Sequence, residues 1–291
     1  MKRVLTILGV IALGVLLSIS VVSGKKAARY PLWETLKEWK TEYQIVDLTH
    51  AFFRGIPVWP GFPPMKIDTL YWYAEGEGVV AKQVEGKGGG YGFFAEYFCH
   101  VGQYGTHCDP PCHFHKGGKT IDEIPVTEMI CPLVVFDVRD KVKENPDYEL
   151  TVDDIKAWEA KYGPVPEGAF CLMWTGWSER WPDPDKMRNK GPDGYAHYPA
   201  WGMEALKYLF EERHITAVGH ETTDTDGGLR TSRDGDYSCE SYVLTKGWQI
   251  ELVNVPAGVE LPEAGGIAIV TFPKVRGGSG FPARVIAIIP K

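Results

Sequence analysis

Leu133-Val134-Val135-Phe136 and Val285-Ile286-Ala287-Ile288-Ile289 decide the fold. Each is apolar without interruption, and each reads as a strand covered on both faces. The same reading gives strands at 45–48, 67–73, 93–98, 132–138, 170–174, 216–219, 249–253, 267–272 and 285–289. Two helices stand out between them. Thr151-Val152-Asp153-Asp154 is a capping-box-like start, with Ile155, Trp158 and Tyr162 as the apolar stripe and Gly163-Pro164 as the stop. Residues 202–213 put Ala205, Leu206, Leu209 and Phe210 on one face. A third, weaker helix is expected over 238–245, closed by Gly247. Strands outnumber helices and the two types are interspersed, without internal repeat or low-complexity segment. The pattern predicts one α/β domain with a mixed sheet and few covering helices.

Residues 105–114 carry the chemistry: Gly-Thr-His-Cys-Asp-Pro-Pro-Cys-His-Phe. His107 and Asp109 are two apart, so an extended backbone turns both side chains to the same side. Pro110 and Pro111 fix φ and are expected to keep the segment out of a helix, on a strand end or loop. A neutral imidazole held beside a carboxylate is the start of a divalent-metal site. His113 follows closely enough to be a third ligand or a general base. An isolated His-x-Asp is more often a hydrogen-bonded loop pair. Three donors in one short run, braced by Gly105 and two prolines, favour metal.

This run resembles the cyclase or kynurenine formamidase family of metal-dependent hydrolases, whose bacterial members carry His-x-Gly-Thr-His-x-Asp-x-Pro-x-His-Phe. Gly105, Thr106, His107, Asp109, Pro111, His113 and Phe114 match in order. The similarity extends from Val46-Asp47-Leu48-Thr49-His50, through Pro57-Val58-Trp59-Pro60-Gly61, to Gly280-Phe281-Pro282-Ala283-Arg284. It implies a swivelling β/β/α fold whose sheets enclose the metal, and a glutamate or glutamine ligand in a late strand. Two positions depart. The family's first histidine is Gln103 here, with His100 three residues further back, and a histidine common before the late ligand is Cys239. In the formamidases that first histidine helps hold a second zinc, so the departures favour one ion over two. The expected cofactor is a divalent metal, zinc or manganese; an amide such as Gln103 is a poor zinc ligand and a tolerable manganese or magnesium one.

Glu251 is the expected remote ligand. It lies in the apolar run Trp248-Gln249-Ile250-Glu251-Leu252, where an unpaired carboxylate would be costly, and in the strand to which the resemblance points. His220 ends the apolar run Ala217-Val218-Gly219 and is a second catalytic candidate, as ligand or transition-state donor. Glu221, Asp224 and Asp226 read as supporting or turn residues. Cys108 and Cys112 flank the site, but no second pair accompanies them, so small buried thiols are expected rather than thiolate ligands. The stretches 54–64 and 174–202 hold Trp59, Trp174, Trp177, Trp181, Tyr195, Tyr198 and Trp201 and, together with Trp72, read as loops walling a pocket, with half of these rings going to the core. Trp59 and Gln103 are expected either to support the ligands from behind or to face the substrate.

The chain has 291 residues, enough to bury a sizeable core. Lys2 and Arg3 precede an uncharged stretch, 4–24, followed by Lys25 and Lys26. Residues 1–24 are read as a secretory signal peptide or, as the rival, an uncleaved signal anchor, and 25–291 as the folded domain, exported in either case. The net charge of −7, without a basic run, argues against nucleic acid or an anionic membrane surface as partner. The six cysteines permit disulfides without requiring them. A homo-oligomer stays open. No Gly-x-Ser-x-Gly turn and no Gly-x-Gly-x-x-Gly after a strand is present. What remains is metal-assisted hydrolysis of a small aromatic amide, an aryl formamide such as N-formylkynurenine or a cyclic amide such as isatin, with His113 as general base. The alternatives are a lactone hydrolase or cyclase, and an exported binding protein that keeps fold and metal without turnover.

Overall fold

Alternation between two apolar cores governs how the strand-forming runs assemble. The computed structural model describes residues 30–73, 90–91 and 93–291, the side chains of 72, 73, 90 and 91 excepted. Helix α1 (Pro31–Glu42) leads into β1 (Tyr43–Asp47); β2 (Lys66–Tyr73), β3 (Gly90–Tyr91) and β4 (Ala95–Cys99) then form a small separate sheet. Next come β5 (His107–Asp109), β6 (Ile130–Asp137), α2 (Arg139–Glu144), β7 (Glu149–Leu150), α3 (Val152–Tyr162) and β8 (Phe170–Trp174). The chain continues through α4 (Pro184–Arg188), β9 (Ala200–Trp201), α5 (Met203–Lys207), β10 (Ala217–His220), α6 (Ser238–Lys246) and β11 (Trp248–Glu251). It closes with β12 (Gly266–Thr271), β13 (Phe281–Pro282) and β14 (Arg284–Pro290).

The large sheet has the order β1-β14-β12-β6-β8-β10-β11-β5-β13. Its centre, β6-β8-β10-β11, is parallel, and the crossovers that parallel neighbours need bring in α2 to α6. Antiparallel strands extend it on both sides. Val134 and Phe136 of β6, Cys171 and Met173 of β8 and Val218 of β10 pack against Ile155, Trp158, Leu206 and Val243 of the helices. The intervening Leu133, Val135, Phe170, Leu172, Ala217 and Ile250 enter a second core with Val46, Val270, Val285 and Ala287. The sheet curls around this second core, which explains why its central runs are apolar on both faces.

The nine predicted strands are all present, and the domain is the mixed α/β architecture expected. Thr151 caps α3 with a reciprocal Asp154 box. The predicted helix over 202–213 is α5 followed by a π-helical turn, Tyr208–Glu212. Helix α1 is not among the expected elements; Leu32, Leu36 and Trp39 recur on one face at helical spacing, yet none of its residues is buried. One expectation is corrected: the two prolines do not keep their segment free of helix. Pro111 opens a 3-10 turn, Pro111–His113, because the first turn of a helix has no use for the missing N–H. The apolar leader 1–24 lies outside the described residues; among those described, no helix is long and apolar enough to cross a membrane.

Candidate metal centre

Strands β5 and β11 run antiparallel, with His107 opposite Glu251 and Asp109 opposite Gln249. Cys108 and Ile250, between them, point into the second core. The two-residue period therefore leaves His107, Asp109, Gln249 and Glu251 on the other face, beneath α6. His220 joins that face from the end of β10, two residues beyond Val218.

His107 Nε2 lies 3.3 Å from Asp109 Oδ2 and 3.5 Å from Glu251 Oε2. Its Nδ1 donates to the Gly105 carbonyl at 2.8 Å, which fixes the tautomer and leaves Nε2 as a bare acceptor. Gly105 adopts φ +62°, and a Cβ there would press on Phe52 and Ile56 at 3.2 and 3.3 Å, so glycine is required at that turn. Leu252, next to Glu251, holds φ +53°, a strained value for a branched side chain. It is fixed by its N–H donating to the Thr222 carbonyl at 3.1 Å and by the Thr106 hydroxyl donating to its carbonyl at 2.5 Å.

His107 Nε2, Asp109 Oδ1 and both ring nitrogens of His220 are buried without a hydrogen-bond partner. Buried polar atoms left alone cost about 1–3 kcal/mol each. A buried imidazole nitrogen without a hydrogen-bond partner, converging with two carboxylates, fits a divalent cation. Electrostatics agrees. Burial and then the neighbouring carboxylates push Glu240 and Glu251 well above the usual carboxylate range. Burial opposes charge on Asp109 too, but His107, His113 and the Gln249 amide outweigh it and hold its carboxyl low. Burial likewise opposes charge on His107, and Asp109 with the Gly105 hydrogen bond raises it nonetheless. A cation would relieve this crowding and displace the protons it forces on.

Asp109 also belongs to a second donor set, with His113 and Glu240, whose ligand atoms lie within 4.8 Å of one another. His113 is aimed by the 3-10 turn; its Nε2 is 3.9 Å from Glu240 Oε1 and its Nδ1 3.5 Å from Gln103 Nε2. Gln103 is committed elsewhere, donating to the Ser279 carbonyl at 2.8 Å. Gly280 permits that approach, since a Cβ there would stand 2.2 Å from Gln103 Nε2. His220 is wholly buried, 3.4 Å from Glu251 Oε1, and burial lowers its pKa to about 3. It is a neutral imidazole behind Glu251 and not on the cavity wall. His100 turns away, Nδ1 on the Val101 carbonyl.

A cavity of about 240 Å³ opens over the donor sets, lined by Trp59, Phe62, Gln103, His113, Phe114 and Tyr237 among others. Trp59 is held by its indole N–H donating to the Tyr237 hydroxyl at 3.2 Å. The expected wall from 174–202 is largely core instead: Trp177, Tyr198 and Trp201 are buried against the helical layer and Trp174 in the second core. Trp72's side chain lies outside the described ones. All six cysteines are free, with Cys108 turned into the core and Cys239 beside Arg230, and none joins a donor set.

Glu240 and Gln249 were not singled out by the sequence. Glu240 falls in register with the buried Val243 and Leu244, three and four residues on, so a carboxylate on the apolar stripe of 238–245 was the available signal. Asp226 aims it, accepting from the Cys239 and Glu240 N–H groups at 2.9 Å each. Glu221 pins the end of β10, accepting from the Thr175 N–H and hydroxyl and the Ser178 hydroxyl, each at 2.6 Å. Asp224 accepts from the hydroxyls of Tyr198 and Thr223.

A His/Asp/Glu cluster that could hold a metal ion, buried at strand ends and opened on one side by an aromatic cavity, thus sits on a curled mixed sheet. The chain belongs to the Cyclase family, whose model matches residues 46–227. It is 31% identical over 205 residues to the isatin hydrolase of Roseibium aggregatum, covering 68% of this chain and 76% of that protein. Isatin hydrolase A from Labrenzia aggregata, solved bound to benzyl benzoate, superposes with a TM-score of 0.76 at 27% identity, covering 89% of this chain and 99% of that one. An isatin hydrolase bound to the product analogue thioisatinate gives 0.77 at 25% identity, covering 91% and 100%.

Proposed function

We propose that the protein is a metal-dependent hydrolase of a small aromatic amide, with a cyclic amide of the isatin type ahead of an aryl formamide. The observation that carries this reading is the His107, Asp109 and Glu251 donor set in the floor of a small aromatic cavity. At about 240 Å³ the cavity lies near the small end for organic ligands and suits one or two fused rings rather than a peptide. The similarity to isatin hydrolases favours the cyclic amide.

A divalent ion bound there supplies Lewis-acid polarisation of a carbonyl and a lowered pKa for water. The chain's own residues do the rest. Trp59, Phe62, Phe114 and Tyr237 bury the flat ring and exclude bulk water. His113, at the cavity wall, takes the proton from the attacking water as the C–O bond forms, and returns it to the nitrogen as the C–N bond breaks. Gln103 and Glu240 flank the His113 ring, 3.5 Å from Nδ1 and 3.9 Å from Nε2.

Turnover of isatin and N-formylkynurenine by the purified protein, with and without added manganese or zinc, tests the reading. Metal-dependent opening of isatin supports it. Hydrolysis of lactones with both amides untouched would transfer the assignment to a lactone hydrolase, and metal binding without any turnover would make the protein a binder. Export is a separate proposal, resting on Lys2-Arg3 and the uncharged stretch 4–24. Fractionation that recovers full-length protein in the cytoplasm would refute it.

A further inference from the structure

Gln249 lies among three carboxylates. Its Nε2 is 3.0 Å from Glu251 Oε1, 3.1 Å from Glu240 Oε1 and 3.3 Å from Asp109 Oδ2. An amide nitrogen carries two hydrogens, so three acceptors share two donors. The other end of the amide is engaged as well: Oε1 accepts from the Thr225 hydroxyl at 2.6 Å. Thr225 is itself tied down, its carbonyl accepting from the Trp201 N–H at 3.1 Å. Both Gln249 and Thr225 are completely buried. With its oxygen taken by a hydroxyl, the amide keeps its nitrogen toward the carboxylates.

We infer that Gln249, oriented by Thr225, is a positioning residue for the metal centre: a neutral donor that gathers Asp109, Glu240 and Glu251 for an incoming ion. The inference rests on reading the donor set as a metal centre. Chemistry favours an amide for this task over the other side chains. A lysine or arginine would gather the carboxylates but cancel their charge and repel a cation. An apolar residue would leave three buried carboxylates facing one another without a donor. Another carboxylate would add to the repulsion. An amide donates while leaving the negative charge in place. It engages Asp109 Oδ2 and Glu251 Oε1, so each carboxylate keeps its second oxygen, and Asp109 Oδ1 has no protein partner at all.

The test is titration of the metal-free, full-length protein with manganese and with zinc against a competing chelator, with thermal melts to verify folding. Gln249→Met, close in volume and without a donor, should weaken ion affinity about 10- to 100-fold, the range for lost outer partners of metal ligands. Thr225→Val, which frees the amide to turn, should weaken it in the same direction by less, and Thr225→Ser should restore it. A folded Gln249→Met protein that binds as tightly as wild type overturns the inference. So does equal weakening by Thr225→Val and Thr225→Ser, which would mark a packing role. If Gln249→Met does not fold, the Thr225 pair still decides. Wild-type protein that takes up neither ion would instead overturn the metal-centre reading itself.

Discussion

The two donor sets share Asp109 and differ in what carries the rest. His107, Asp109 and Glu251 stand on paired strands inside the sheet, all buried. His113 and Glu240 hang from a three-residue turn and a helix, and the His113 side chain is 25% exposed at the cavity wall. Strand pairs fix side chains through a ladder of backbone hydrogen bonds, and a short turn leaves its side chain room to move. The strand-borne set is built to hold a charge in one place. The position of the turn-borne histidine, at the cavity wall, suits the proton exchange proposed for it.

His107→Ala breaks the comparison at its strongest point. It should strip the ion and abolish activity together, as measured by elemental analysis of the purified variant; a full equivalent of metal retained would remove the distinction between the sets. His113→Ala should keep the ion and lose about 10²- to 10⁴-fold in kcat. Loss of the ion in that variant would move His113 among the ligands, and an unchanged rate would leave it structural.

Glu240→Gln sharpens the boundary between the sets. It should leave the ion bound and lower its affinity about tenfold, since Glu240 stands beside the strand-borne set, sharing the Gln249 amide with it and lying within 4.8 Å of Asp109, without belonging to it. A fall from two equivalents to one would show that the turn and helix hold an ion of their own. The smallest effect is expected of Asp226→Asn, which weakens the cap on α6 and reaches Glu240 only at its backbone N–H. Denaturant unfolding should register about 1 kcal/mol of lost stability, with ion affinity nearly unchanged. A large loss of affinity would mean that the position of α6 governs the strand-borne set.

The same contrast explains what the sequence disclosed. On an extended chain the side of each residue follows from counting by two, so His107 with Asp109, and Glu251 within an apolar strand, were legible before any coordinates. Gln249 obeys the same count, but an amide in a strand has no distinctive chemistry alone; its meaning lies in three acceptors that come from elsewhere. Glu240 was harder. A carboxylate on a helix is ordinarily solvated, and only the packing of α6 over β11 turns it inward. The aromatic segment 174–202 misled for a related reason: composition marks large rings as buried but does not tell core from cavity.

Anomalous diffraction from crystals of metal-replete protein tests the central claim most directly. A peak is expected within bonding distance of His107 Nε2 and the carboxylates of Asp109 and Glu251. Metal-soaked crystals in which those three groups meet only one another, or water, while the ion sits elsewhere or nowhere, would contradict it.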